Sequence, residues 1–227
     1  MNIKYLYGKK AFLLPVIEDK AGLRLSDLTH YSRMENEIMR DNEMEKIFTV
    51  DKRRFNFTVS GHLVNPAEMT ADPFFTLTPQ HCYCICFTSR KNDPELYRMF
   101  RADICVGFDV DMLQERLEIL SFRFPGMEFQ GKDVVYYHPG TPPDTFMPKE
   151  LVFFKPAAFR HEAEYRLAMF YPEGKTGFKT SDGVVIPFWK DGESMHMTVA
   201  HQENGFISGC VTEVFYPKKK GNPNQTG

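Results

Sequence analysis

The chain has 227 residues, 42% of them apolar and 14% aromatic, enough to bury one core without disulfide staples and too apolar for global disorder. Its formal net charge of −2 gives no global field for nucleic acid or anionic lipid, so such a contact must come from a local patch such as Lys52-Arg53-Arg54. No run approaches the roughly 20 apolar residues of a membrane-spanning helix, and Met1-Asn2-Ile3-Lys4-Tyr5 lacks the layout of a secretion signal. The expectation is a cytoplasmic protein with no membrane partner.

Ile3 to Tyr7 is β-branched and aromatic and predicts a first strand with Tyr5 and Tyr7 on one face. Lys9 to Lys20 puts Phe12, Leu13, Val16 and Ile17 on one helical face, with Gly22 as a stop and Pro15 predicting a kink or a late start. Gly22 to Ser26 alternates as a second strand, with Arg24 and Ser26 in the same phase. The mixed-charge stretch from Arg33 to Lys46 predicts a solvated helix, preceded by His30 and Tyr31. Phe55 to Val59 predicts a strand, and Gly61 to Pro79, carrying Pro66, Pro73 and Pro79, an irregular connector.

His81 to Thr88 is apolar on both faces and predicts the central strand. It carries Cys82, Cys84 and Cys86. Five cysteines in all, with this alternation, have neither the even count nor the spacing of a disulfide framework, so they read as reduced packing residues. The missing C-x-x-C pair argues against a zinc site built with His81. A polar turn over Arg90 to Pro94 leads to a short helix at Glu95 to Arg101, a strand at Ala102 to Val110 and a helix at Asp111 to Leu120. Val134 to Tyr137 is a further strand, before a Pro-Gly-Thr-Pro-Pro loop at 139–143.

From Arg160 the chain alternates again, with Arg160, Glu162, Glu164 and Arg166 in one phase and Tyr165, Leu167 and Met169 in the other. A strand there holds Glu162 and Glu164 side by side, where mutual repulsion raises the proton affinity of one of them. Such a pair can divide labour between stabilising positive charge on a ribose and deprotonating a nucleophile. The plain alternative is a solvated strand face. Gly174 to Thr180, Val184 to Trp189, His196 to Ala200 and Ile207 to Phe215 read as short β pieces, and 218–227 as a disordered tail. The sum predicts an α+β fold, one domain over 1–217 of mainly antiparallel or mixed sheets, with a few helices concentrated in the N-terminal half. No Gly-rich phosphate loop, G-x-S-x-G elbow or H-E-x-x-H motif is present, which sets those enzyme classes aside.

In order, the Tyr-bearing first strand, Leu23-Arg24-Leu25-Ser26, Cys86-Phe87-Thr88-Ser89, Val106-Gly107-Phe108-Asp109, Val135-Tyr136, Lys155 and Glu162-Ala163-Glu164-Tyr165-Arg166 resemble an uncharacterised bacterial family. Its members show a Tyr-rich start and C-F-S, G-F-D, V-x-Y and E-x-E-x-R segments, and the resemblance runs from about Ile3 to Arg166. The same layout looks like the ADP-ribosyltransferase fold, with its split sheet and NAD as substrate. That resemblance implies that Glu164 matches the catalytic glutamate at the nicotinamide ribose, and Glu162 the glutamate that prepares the acceptor. It implies that Phe154 to Arg160 matches the target-recognition loop, and that Thr88-Ser89 stands at a Ser-Thr-Ser position of which two residues match. The early NAD-anchoring motif is open between Tyr5 or Tyr7, Arg24 with Ser26, and His30-Tyr31.

The function expected from this resemblance is a mono-ADP-ribosyltransferase, a bacterial toxin or phage-defence effector held by an inhibitory antitoxin-type partner. Its acceptor is nucleic acid, with RNA favoured through Arg53, Arg54, Arg160 and exposed aromatics, or protein. Two other readings stand beside it: a non-catalytic interaction module on the same fold, and a nuclease in which Asp109 and Asp111 join the Glu pair around a metal.

Overall fold

The structure is a computed structural model that describes residues 1–33, 42–141 and 143–218. Its architecture is α+β. In chain order the strands are β1 (Ile3–Gly8), β2 (Leu23–Asp27), β3 (Lys46–Thr49), β4 (Phe57–Val59), β5 (His62–Val64), β6 (Phe74–Leu77), β7 (Cys82–Thr88), β8 (Ile104–Asp109) and β9 (Glu128–Asp133). They continue with β10 (Val135–Tyr137), β11 (Phe154–Pro156), β12 (Glu164–Phe170), β13 (Gly177–Lys179), β14 (Val185–Pro187), β15 (His196–Val199) and β16 (Val211–Phe215). The α-helices are α1 (Lys10–Ile17), α2 (Pro94–Met99), α3 (Val110–Arg123) and α4 (Pro148–Leu151), the longest of which, α3, crosses the middle of the chain. Among the described residues no helix is long and apolar enough to cross a membrane.

The main sheet is organised around β7, as its unbroken apolar run requires. On one edge β12 pairs with it along its whole length, from Glu164 opposite Thr88 to Phe170 opposite Cys82, and β9 extends the sheet beyond β12. The other edge is shared by two strands. β2 meets it with Ser26 opposite Cys84 and Asp27 opposite Tyr83, whereas β1 meets it with Tyr5 opposite Thr88. Continued without change, the two registers would put Arg24 and Tyr7 both opposite Cys86. Neither pairs there, so β1 and β2 diverge, and Ile85, Cys86 and Phe87 have no ladder partner on that edge among the described residues. β15 continues the sheet beyond β2, and β8 and then β16 continue it beyond β1, all antiparallel. Helix α1 connects the two diverging strands.

Both faces of the sheet are covered. The pleat sends Tyr83, Ile85 and Phe87 of β7 and Tyr165, Leu167 and Met169 of β12 into the larger core, under Val16 of α1 and Leu113 and Leu117 of α3. The opposite face carries Cys82 and Cys84 of β7 and Ala168 and Phe170 of β12, packed with Leu28, Val152 and Phe153. Burying each large apolar side chain stabilises the fold by about 1.5–3 kcal/mol, which is why β12 is held from both sides. The five cysteines are free thiols and, Cys86 apart, buried. A separate cluster gathers Phe48 of β3, which packs on Phe75 at 5.5 Å and Tyr137 at 4.7 Å, with Phe154.

Several expectations need correction. The stretch 61–79 is not an irregular connector: β5, a 3-10 turn at Pro66–Glu68 and β6 lie within it, because Pro66 opens the turn, Pro73 and Pro79 lie outside β6, and β6 finds a partner in β3. The helix expected over Arg33 to Lys46 lies outside the described residues for 34–41, and its described end is a turn, Glu45 N–H donating to Asn42 O at 3.1 Å, followed by β3. Strand β9, Glu-Phe-Gln-Gly-Lys-Asp, has little β propensity and forms because the free edge of β12 pairs with it along six residues. The Asp93-Pro94 turn starts α2, with the Asp93 carboxylate accepting from Glu95 N–H at 2.8 Å. The tail expected over 218–227 lies outside the described residues from 219 onward.

Candidate active site

Glu162 and Glu164 do not lie on one continuous strand. Pro156 ends β11, Ala157–Glu162 forms a 3-10 turn, Ala163 adopts a left-handed conformation (φ 45°, ψ 49°), and β12 begins at Glu164. A non-glycine residue in that conformation stores on the order of 1 kcal/mol of strain. Neighbouring groups hold the bend. Thr88 Oγ1 donates to Glu162 O at 2.6 Å, Ser89 N–H to Ala163 O at 2.9 Å, and Glu164 N–H to Tyr136 Oη at 2.7 Å. The expected solvated charged face is absent too, since Glu162 and Glu164 are buried and Arg166 is 0% exposed.

The bend brings the two carboxylates onto one cation. Lys155, carried by β11 where it pairs with Tyr136 of β10, donates from Nζ to Glu162 Oε2 at 2.6 Å and to Glu164 Oε2 at 2.8 Å. Arg166 Nε donates to Glu164 Oε1 at 2.8 Å, and its two terminal nitrogens reach Glu43 at 2.9 and 3.1 Å. Lys46 Nζ donates to Glu43 Oε2 at 2.7 Å. Three acids thus alternate with three cations in a buried chain, the condition under which burying charge is tolerable.

The cluster splits the two glutamates by protonation. Glu164 is brought down to about 2: burial alone pushes it up, and Arg166 and Lys155 together overcome that. Glu162 is pushed up to about 7, first by burial and then by the Glu164 charge, with Lys155 opposing. Near neutral pH one acid is a permanent anion and the other exchanges a proton, which is the division of labour that acid–base chemistry uses.

Both open onto a cavity of about 520 Å³ lying where β1 and β2 diverge, between the β7 edge and α1. That volume falls within the range of about 300–1,000 Å³ typical of small-molecule sites. The expected residues Tyr5, Tyr7, Arg24, Ser26, His30 and Thr88 line it, together with Lys155, Glu162 and Glu164. Tyr5 and Tyr7 contribute ring surface, because their hydroxyls are engaged elsewhere: Tyr5 Oη donates to Glu213 Oε1 at 2.8 Å and Tyr7 Oη to Arg90 O at 2.9 Å. His30 Nδ1 is buried without a hydrogen-bond partner among the described residues. Burial, then the neighbouring Arg24 charge, lowers its proton affinity, while Asp27 opposes. Ser89 is not among the lining residues; its hydroxyl accepts from Lys4 Nζ at 2.8 Å.

The site also takes in residues that sequence reasoning left without a role. Lys155 and Arg166 stand in the segments that carry the resemblance without a part assigned to them, Glu43 carries no motif, and the 3-10 turn with the bend at Ala163 sets Glu162 and Glu164 against Lys155. Tyr31, also in the cavity wall, accepts a thiol contact from Cys86 at 3.0 Å. The chain before the glutamates bears Phe159, whose ring lies 4.7 Å from Lys155 Nζ, and exposed Arg160, 5.8 Å from the Tyr136 ring centre. Asp109 and Asp111 do not join the glutamates: Asp109 caps α3 through Met112 N–H at 3.4 Å and Asp111 accepts from Asn2 at 3.2 Å. Among the described residues no group of three or more His, Cys, Asp or Glu is arranged to hold a metal ion.

No family model, curated protein or solved structure matches the chain.

Proposed function

We propose that this protein is an NAD-dependent mono-ADP-ribosyltransferase. The observation that carries the reading is the juxtaposition of Glu162 and Glu164, in different protonation states, at the wall of a cavity opened by two strands diverging from one edge of β7. The ADP-ribosyltransferase resemblance implies a split sheet, and the divergence of β1 and β2 from one edge of β7 supports that reading. The cavity walls have the chemistry such a substrate requires. Ring faces of Tyr5, Tyr7 and Phe12 offer stacking for a planar amide, Arg24 supplies positive charge, and His30 Nδ1 supplies a polar atom in need of a partner.

The roles follow from electrostatics. In ADP-ribosyl transfer the bond between the ribose anomeric carbon and the nicotinamide nitrogen breaks, and its electron pair leaves with nicotinamide. Glu164, fixed and ionised, stabilises the positive charge that develops on the ribose. Glu162, once ionised, accepts the proton of the acceptor nucleophile as the new bond to the anomeric carbon forms. Lys155 and Arg166 hold both acids in place without rearrangement during the reaction.

The acceptor in this reading is nucleic acid, RNA before DNA. Its support is the exposed Arg53 and Arg54, which share the single carboxylate of Asp51, next to exposed Phe55 and not far in sequence from exposed Phe74. The test is label transfer from isotopically labelled NAD to separated RNA, DNA and protein fractions of a bacterial lysate. Label on RNA that is lost in Glu164→Gln supports the reading. Label on protein moves the acceptor, and equal label with both proteins, or none in any fraction, counts against it.

A second reading rests on the completeness of the ion cluster. Both Glu164 oxygens already accept hydrogen bonds from Lys155 or Arg166, as a purely structural network would require in a non-catalytic interaction module. Thermal stability separates the two, because NAD or nicotinamide raises the melting temperature of the enzyme and leaves that of the module unchanged.

A further inference from the structure

The buried ion chain contains an acid for which the proposed chemistry has no use. Glu43 does not line the cavity, is 0% exposed, and comes from the turn just before β3. Arg166 grips it with two nitrogens, Nη1 at 3.1 Å from Oε2 and Nη2 at 2.9 Å from Oε1, and turns Nε and Nη2 to Glu164 Oε1 at 2.8 and 2.7 Å. Lys155 Nζ stands 3.8 Å from Glu43 Oε1 and binds Glu162 and Glu164 with the same ammonium. On its far side Glu43 accepts from Lys46 Nζ at 2.7 Å. The order is Lys46, Glu43, Arg166, Glu164, Lys155, Glu162, with the sign of charge alternating at every step.

We infer that Glu43 is a positioning residue of this site, anchoring Arg166 and Lys155 so that these two cations present Glu164 and Glu162 to the cavity. Its importance for turnover rests on the transferase reading, whereas its geometry does not. Without Glu43, the guanidinium loses the bidentate partner that fixes its plane, and Lys155 loses one of three acids. The effect reaches Glu162 through charge. Ionised, the cluster has three acids and three cations, so losing Glu43 leaves one excess positive charge and Glu162 gives up its proton more readily. Losing Lys46 leaves one excess negative charge and does the reverse.

Other groups facing the two glutamates do not blur this. Tyr136 of β10, which faces both glutamates, and Tyr31 and Cys86, which face Glu164, are held protonated by burial above all. Arg90 bonds the His161 carbonyl next to Glu162 at 2.5 Å, and Arg24 and His30 line the same cavity. All of these remain in the variants.

The test is carboxyl carbon NMR of the ligand-free full chain labelled at glutamate, with the Glu162 signal assigned by its absence in Glu162→Gln. Glu43→Gln moves the Glu162 midpoint to lower pH by about one unit, Lys46→Gln moves it up, and Glu43→Asp returns it toward the wild-type value. A midpoint that stays put in both charge-removing variants, or moves the same way in both, overturns the inference. Should Glu43→Gln fail to fold by circular dichroism, Lys46→Gln alone decides, because the sign of its shift is fixed. If NAD is not the substrate, no variant turns it over while the midpoints still move, so the two readings fail separately. With NAD as substrate, Glu43→Gln lowers kcat more than it changes KM and displaces the acid limb of the pH profile with the Glu162 midpoint.

Discussion

Glu162 and Glu164 meet on a single ammonium, Lys155 Nζ, at 2.6 and 2.8 Å, although a left-handed Ala163 separates them. Arg166 claims the second of these acids and leaves the first to Lys155 alone, so the two titrate far apart. Activity that depends on ionised Glu162 therefore rises with pH through about 7. In Glu162→Gln the limb at that pH disappears and kcat falls by about 10²–10⁴-fold, measured as initial rates from pH 5 to 9.

The same shift predicts how stability varies with pH. Glu162 holds its proton more tightly folded, at about 7, than at the ordinary 4.5, so its contribution is fully present below 4.5, declines as pH rises, and is gone above 7. The loss across that window is on the order of 3 kcal/mol. Glu164, brought down to about 2, works in the opposite sense: its contribution is present above 4.5 and lost as pH falls toward 2. Urea unfolding from pH 4.5 to 7.5 is expected to show wild-type stability falling relative to Glu162→Gln, and a flat difference counts against the assignment.

Arg166 is the side chain on which the cluster's stability depends most. It is fully buried between Glu43 and Glu164 and also donates to Val152 O at 2.5 Å. Arg166→Met leaves two buried carboxylates short of a counter-charge, and the expected loss is about 3–5 kcal/mol in equilibrium denaturation. A loss below about 1 kcal/mol is the value of an exposed pair and would contradict the burial described here.

Much of the main sheet was legible in the sequence, and the site only in part. The alternating or wholly apolar runs of β1, β2, β7 and β8 announce themselves, because burial selects those patterns locally. The Glu162–Glu164 pair was found through a period-two pattern that the backbone does not follow. The turn at Ala157–Glu162 and the bend at Ala163 are imposed by Thr88, Ser89 and Tyr136, which are distant in sequence. Glu43 and Lys46 read as members of a charged surface helix because charge is usually solvated, and nothing local shows that Arg166 and Lys155 draw Glu43 inside. The cavity follows from β1 and β2 claiming the same stretch of one edge of β7, a property of pairing that no single segment carries.

Ala163 gives a prediction at the bend itself. Glycine takes its left-handed conformation without the Cβ penalty, so Ala163→Gly is expected to raise stability by about 0.5–1 kcal/mol. Ala163→Val lowers it and moves Glu162 away from Lys155, which the Glu162 titration reports as a changed midpoint.

The most direct test of the account is nicotinamide release from NAD, followed by chromatography for wild type, Glu164→Gln and Glu162→Gln with total RNA present. Wild type is expected to release nicotinamide, Glu164→Gln to release it about 10²–10³-fold more slowly through loss of a preorganised charge, and Glu162→Gln to show a changed pH profile. No release by wild type from pH 5 to 9 with RNA, DNA or protein supplied, and no rise in melting temperature with NAD, would contradict the account.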